Sequence, residues 1–172
     1  MKEGLIEVYT GDGKGKTTAA IGLALRAKIN KLNVCFIYFH KKIKKCKEAE
    51  ILKKVGIDVF FFAGKHPFFE KIDKEKLRKE CLEGLDFIKK NFKEKKYDMI
   101  ICDEILISLR DGFLKEEEII EIMEEKPKDI ELVLTGRYIT KKIIEKADLV
   151  SEIKKIKHPF DKGIKARKGI EY

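Results

Sequence analysis

Short apolar runs alternate along this chain with longer stretches whose apolar residues recur at helical spacing. The runs Leu5–Tyr9, Asn33–Phe39, Asp58–Phe62, Tyr97–Cys102, Glu131–Thr135 and Leu149–Lys154 are rich in β-branched and aromatic residues, and each predicts a strand. Between them the spacing predicts helices over Lys16–Ile29, Glu48–Val55, Lys74–Phe92, Lys115–Glu125 and Lys141–Lys146. The longest shows its face clearly, with Leu77, Cys81, Leu85 and Ile88 about one turn apart. The run Asn33–Phe39 is almost wholly apolar, as a strand covered on both faces requires. Strand and helix alternate throughout, with no repeat and no linker. The expected fold is therefore one α/β domain over residues 1–172, a parallel sheet between two helical layers.

The first strand stops at Gly11-Asp12-Gly13-Lys14-Gly15-Lys16-Thr17-Thr18, and this glycine-rich turn runs straight into the first helix. Strand, glycine loop and helix in that order form the setting of a phosphate-binding loop. Glycines let successive backbone N–H groups turn toward one anion, and the helix adds its free N–H groups and the positive end of its dipole. Lys16 supplies a mobile positive charge for phosphate oxygens, and the Thr17 hydroxyl can reach a magnesium ion. The usual pattern begins with a glycine where Thr10 stands, and here an extra glycine and an extra lysine lie inside the loop. The expected fold narrows to a three-layer P-loop NTPase (RecA-like) domain, because a second motif supports it. The run Tyr97-Asp98-Met99-Ile100-Ile101-Cys102 ends in Asp103-Glu104, where such a protein places a carboxylate near the magnesium. An acidic helix N-cap would leave the same residues at the same place. Gly136-Arg137 follows the fifth strand, at the carboxyl edge where parallel sheets bind ligands.

Composition changes this picture little. The 172 residues suffice for a full core, and the net charge is +9. No nucleic-acid motif accompanies that charge, so the lysines are read as a mixed surface and no nucleic acid partner is expected. The run Lys41, Lys42, Lys44, Lys45, Lys47 is read as a solvated face, with contact to phosphates as the alternative. No apolar stretch is long enough for a membrane and no signal-peptide pattern opens the chain, so a cytoplasmic location is expected. Cys35, Cys46, Cys81 and Cys102 form no C-x-x-C pair and are read as reduced, structural thiols. His40, His66 and His158 lack metal-ligand spacing.

The motifs together resemble the ATP:corrinoid adenosyltransferases. The resemblance rests on Gly11–Ala20 with Arg26, on Tyr97-Asp98 through Asp103-Glu104, and on Leu134-Thr135-Gly136-Arg137. It continues through Ala147–Glu152 to Lys157–Ala166 and Gly169–Tyr172, so it spans nearly the whole chain, and the tail is its most specific part. The segment after the third strand departs from the family: Gly64-Lys65-His66-Pro67-Phe68-Phe69 stands where relatives carry a tryptophan-containing segment. The N-terminal helical extension of some relatives has no counterpart before the first strand. The resemblance implies ATP and a reduced corrinoid as substrates, Mg2+ as cofactor, and adenosyl transfer to Co(I) with release of triphosphate. It implies ATP binding by Gly11, Asp12, Gly13, Lys14, Gly15, Lys16, Thr17, Thr18, Arg26 and Arg137, and metal binding by Thr17, Asp103 and Glu104. Lys14, Lys16 and Glu104 are the expected catalytic residues; Phe68, Phe69 and Phe160 are the expected corrinoid contacts. A homodimer and a flavoprotein reductant are implied as partners. Two other readings stay open on the residues alone. One is a RecA-like ATPase or kinase with Glu104 polarising the nucleophile; the other is a nucleotide-dependent binding module using the lysine run.

Overall fold

The structure, a computed structural model, describes residues 3–43, 46–65 and 73–170. Its strands are β1 (Ile6–Thr10), β2 (Val34–Phe39), β3 (Asp58–Phe62), β4 (Met99–Asp103), β5 (Glu131–Thr135) and β6 (Leu149–Glu152). They form one parallel sheet in the order β3-β2-β4-β5-β1-β6. The helices are α1 (Lys16–Ile29), α2 (Glu48–Lys54), α3 (Lys74–Glu94), α4 (Ile105–Arg110), α5 (Glu116–Glu125) and α6 (Lys141–Lys146). Strands β2, β4 and β5 are buried at every residue, because helices cover both of their faces. On one face, Val34, Phe36, Tyr38, Val59, Met99, Ile101 and Val133 pack against α1 and α2. On the other, Cys35, Ile37, Phe39, Ile100, Cys102, Leu132 and Leu134 meet α3, α4, α5 and α6. Full burial of each large side chain contributes about 1.5–3 kcal/mol, so the middle of the sheet is the rigid part of the molecule. The four cysteines are free and buried.

Two local features place the site. Helix α1 buries Ala20, Ala24 and Ala27 against the sheet. Side chains this small let its axis lie close, so its N-terminus opens directly above the strand ends. Helix α4, by contrast, was not expected from the sequence. Ile105, Leu106, Ile107 and Ser108 are all buried, so a helix of this length has no polar face to reveal its period, and the run looks like a continuation of β4. Beside it, Gly136 has φ 153°, and a Cβ there would come within 2.6 Å of the Leu106 Cβ. Only glycine lets the end of β5 pass α4. The observed β4 starts at Met99 rather than Tyr97, and β6 ends at Glu152. The tail, without period in the sequence, contains one 3-10 turn over Pro159–Lys162.

At the opposite end of the sheet, Glu131 is buried and its Oε2 accepts the Leu5 N–H at 2.8 Å. Burial, joined by the hydrogen bond and charge of Glu7, outweighs that N–H and pushes the Glu131 carboxyl up to about 7. An acid raised on folding holds its proton more tightly in the folded state. Its contribution to stability is therefore complete below the ordinary glutamate pKa and is lost as pH rises toward 7. The melting temperature is expected to fall by about 2–4 °C between pH 5 and 7 through this group. Glu131→Gln keeps an oxygen for Leu5 and should flatten that slope. An unchanged slope in thermal scans of the variant would assign the decline to other groups.

Candidate nucleotide site

Strand β1 delivers the chain into the loop at Thr10, and α1 receives it at Lys16. Gly11 and Gly15 have φ of 98° and 128°, a region that residues with a Cβ avoid. The loop is braced from outside by the backbone that follows β6. Ile153 donates its N–H to the Thr10 carbonyl at 2.8 Å, and its own carbonyl accepts the Gly13 N–H at 2.7 Å. A Cβ on Gly11 would lie 2.5 Å from that Ile153 oxygen, so the close approach itself requires glycine.

Lys16 is buried, yet its Nζ is aimed: it donates to the carbonyls of Gly11 at 2.6 Å and Gly13 at 2.8 Å. An ammonium has three protons, and two of these bonds hold the group at the mouth of the loop. Burial pulls its pKa below the ordinary lysine value, helped by Arg137, while Glu104, Asp12 and Asp103 pull the other way.

Strand β5 lies between β1 and β4, so its last residue stands between the loop and the end of β4. That residue is Thr135, and it is fully buried. Its hydroxyl donates to Asp103 Oδ1 at 2.8 Å and accepts the Glu104 N–H at 2.9 Å. Asp103 is fully buried as well, and its Oδ2 accepts the Lys41 ammonium at 2.8 Å and the Thr17 hydroxyl at 3.2 Å. The carboxylate is thus held by three side chains, one from α1, one from the segment after β2 and one from the end of β5. Sequence reasoning missed Thr135 as a positioning residue, although it precedes Gly136-Arg137 directly.

Glu104 takes a left-handed conformation, φ 65°, immediately before α4. It occupies the cap position but its side chain caps nothing. Among the described residues its Oε2 is buried with no hydrogen-bond partner. Burial, then the neighbouring Asp103 charge, raise its pKa, against the pull of Lys41, Lys16 and Arg137. An unsatisfied buried carboxylate oxygen carries a real cost, and a cation would relieve it.

These groups open onto a cavity of ≈ 590 Å³ lined by Asp12–Thr18, Lys41, Lys47, Glu104, Arg137 and, from the tail, His158, Gly169 and Ile170. The structure therefore brings Lys14, Lys16, Thr17, Thr18, Glu104 and Arg137 to one place, with Asp103 beneath. It does not bring Arg26 there. Ten residues along α1 from Lys16, Arg26 sits about 15 Å further down the helix, in the last turn. Phe160 is 74% exposed on the tail and does not line the cavity. Phe68 and Phe69, with Lys44 and Lys45, lie outside the described residues. The reading of the lysine run as a solvated face fails at Lys41, whose ammonium is bonded to the buried Asp103 at the cavity wall, and holds at Lys47, which is exposed and paired with Glu50 at the cavity rim. Ordinary charge-run reasoning hides such residues, since a lysine on a wall looks like one on a surface.

Comparison with known proteins gives the relatives of this chain. Residues 2–172 match the family model described as ATP:corrinoid adenosyltransferase BtuR/CobO/CobP. The corrinoid adenosyltransferase of Escherichia coli K12 is 33% identical over 171 residues, covering 99% of this chain and 87% of that protein. The corrinoid adenosyltransferase of a Sinorhizobium species is 35% identical over 174 residues, 99% of this chain and 81% of the relative. Corrinoid adenosyltransferase CobA of Salmonella typhimurium LT2 is 33% identical over 171 residues, with 99% and 87% covered.

Proposed function

This chain belongs to the ATP:corrinoid adenosyltransferase family, and on that premise we propose that its cavity binds ATP for attack at the 5′ carbon by the Co(I) of a reduced corrinoid. The reaction moves the 5′-deoxyadenosyl group from ATP to the corrinoid, a step of cobalamin synthesis. The cobalt lone pair forms the Co–C5′ bond, the C5′–O bond breaks, and triphosphate leaves with that electron pair. No proton has to move, so the chain needs neither a protein nucleophile nor a general base. What it must supply is alignment and positive charge around the leaving group. The convergence of Lys14, Lys16, Lys41 and Arg137 on one cavity beside Asp103 supports this reading best.

The acidic groups suit Mg2+. Thr17 Oγ1 stands 3.2 Å from Asp103 Oδ2, and Glu104 Oε2 is buried without a hydrogen-bond partner among the described residues. Magnesium binds through one or two carboxylates and takes its other ligands from phosphates and water. Bound there by Thr17, Asp103 and Glu104, it would neutralise part of the triphosphate charge. Phe68, Phe69 and Phe160 are proposed to cover the corrinoid, with a second copy of the chain and a flavoprotein reductant as partners. Among the described residues no helix is long and apolar enough to cross a membrane.

An anaerobic assay with ATP, magnesium and chemically reduced cobalamin tests the activity. The spectrum of adenosylcobalamin should develop with the protein present. Its failure to appear, with Co(I) intact and ATP bound, would overturn the proposal.

A further inference from the structure

Lys41 belongs to none of the motifs that carry the family resemblance, yet it makes the only ion pair to the buried Asp103 among the described residues. Its side chain is 26% exposed while that of Asp103 is wholly enclosed. Its Nζ also stands 4.8 Å from the centre of the Tyr38 ring, a contact that steadies the ammonium at the cavity wall. Asp103 Oδ1 is committed to Thr135, so Oδ2 is the oxygen that faces Thr17 and Lys41. A metal held by Thr17 and Asp103 would compete with Lys41 for that carboxylate. An ammonium and a divalent cation on one carboxylate repel each other, so the arrival of one weakens the hold of the other.

We propose that Lys41 is an exchangeable counter-ion for Asp103: without metal–nucleotide its ammonium holds Oδ2, and when metal–ATP binds it yields that oxygen to the metal and turns to the triphosphate. The proposal rests on the reading of the cavity as the ATP–metal site. Three observations support it. A buried carboxylate without a partner is costly, and Lys41 supplies the partner. The same lysine lines the cavity with Lys16 and Arg137, so its free position is beside the phosphates. Finally, a residue tethered by four methylenes can move between the two places without disturbing β2, whose end is fixed by the His40 N–H on the Phe62 carbonyl at 3.3 Å.

The test uses binding alone. For Lys41→Met, Mn2+ without nucleotide, followed by electron paramagnetic resonance, should bind about tenfold tighter or more, because its competitor is gone. ATP with saturating Mg2+, followed by calorimetry, should bind about tenfold weaker, because the cation that turns to the triphosphate is lost. Lys41→Arg should keep both values nearer the parent. A merely structural lysine would weaken both or change neither, and either result overturns the proposal. Tighter Mn2+ with unchanged ATP affinity also overturns it, since the ammonium would then not reach the phosphates. Should Lys41→Met not fold, the double variant with Asp103→Asn removes both charges and should regain the fold; continued unfolding would contradict the pairing. A parent protein that binds no ATP would instead overturn the reading of the cavity. Corrinoid enters none of these measurements, so a failure of adenosyl transfer is separable from them.

Discussion

Replacing Lys16 by alanine is expected to remove ATP binding and turnover together. The ammonium is held by the loop itself, tied to the Gly11 and Gly13 carbonyls at 2.6 and 2.8 Å. Its loss takes a charge-assisted bond from the triphosphate and leaves those carbonyls facing the phosphates with nothing between. A bond of that kind contributes about 1.5–3 kcal/mol, and the added repulsion brings the expected loss to a hundredfold or more, about 3 kcal/mol. Burial already lowers the Lys16 pKa, so its charge is maintained partly by Glu104, Asp12 and Asp103. Calorimetric titration with ATP checks this directly. An affinity within a few-fold of the parent would show that the loop is not the phosphate site.

The second large effect is expected at the carboxylates. Asp103→Asn should raise the magnesium requirement of both binding and turnover by about tenfold to a hundredfold, since a proposed metal ligand would lose its charge. It should also destabilise the fold, because breaking a buried pair costs about 3–5 kcal/mol; the loss here should lie below that range, since Lys41 is partly exposed and can turn into the cavity. Glu104→Gln should act more mildly. Its buried Oε2 has no hydrogen bond to lose, and an amide there no longer repels Asp103. Excess magnesium should restore most of the activity in both variants. If Glu104→Gln stays inactive at saturating metal while folded and bound to ATP, Glu104 moves a proton, and an ATPase-like mechanism gains ground.

The site was legible in the sequence wherever chemistry and local order coincide. Glycines beside Lys16-Thr17, after a strand and before a helix, announce their geometry, and Asp103-Glu104 at the end of an apolar run announces its edge of the sheet. Helix α4 was invisible because it is buried all round. Thr135 and Lys41 were obscured for a different reason. Their roles come from strand order, which sets β5 between β1 and β4 and β2 on the other side of β4. Residue spacing does not encode those neighbours. Arg26 was assigned to the nucleotide through the family pattern, and helix rise alone places it at the far end of α1.

The central claim is attack at C5′ rather than at a phosphorus atom, and the phosphorus products decide it. Under anaerobic turnover with Co(I) corrinoid, 31P NMR should show intact triphosphate in one-to-one ratio with adenosylated corrinoid, and no turnover when the corrinoid is left out. ADP and orthophosphate appearing in its place would contradict the account.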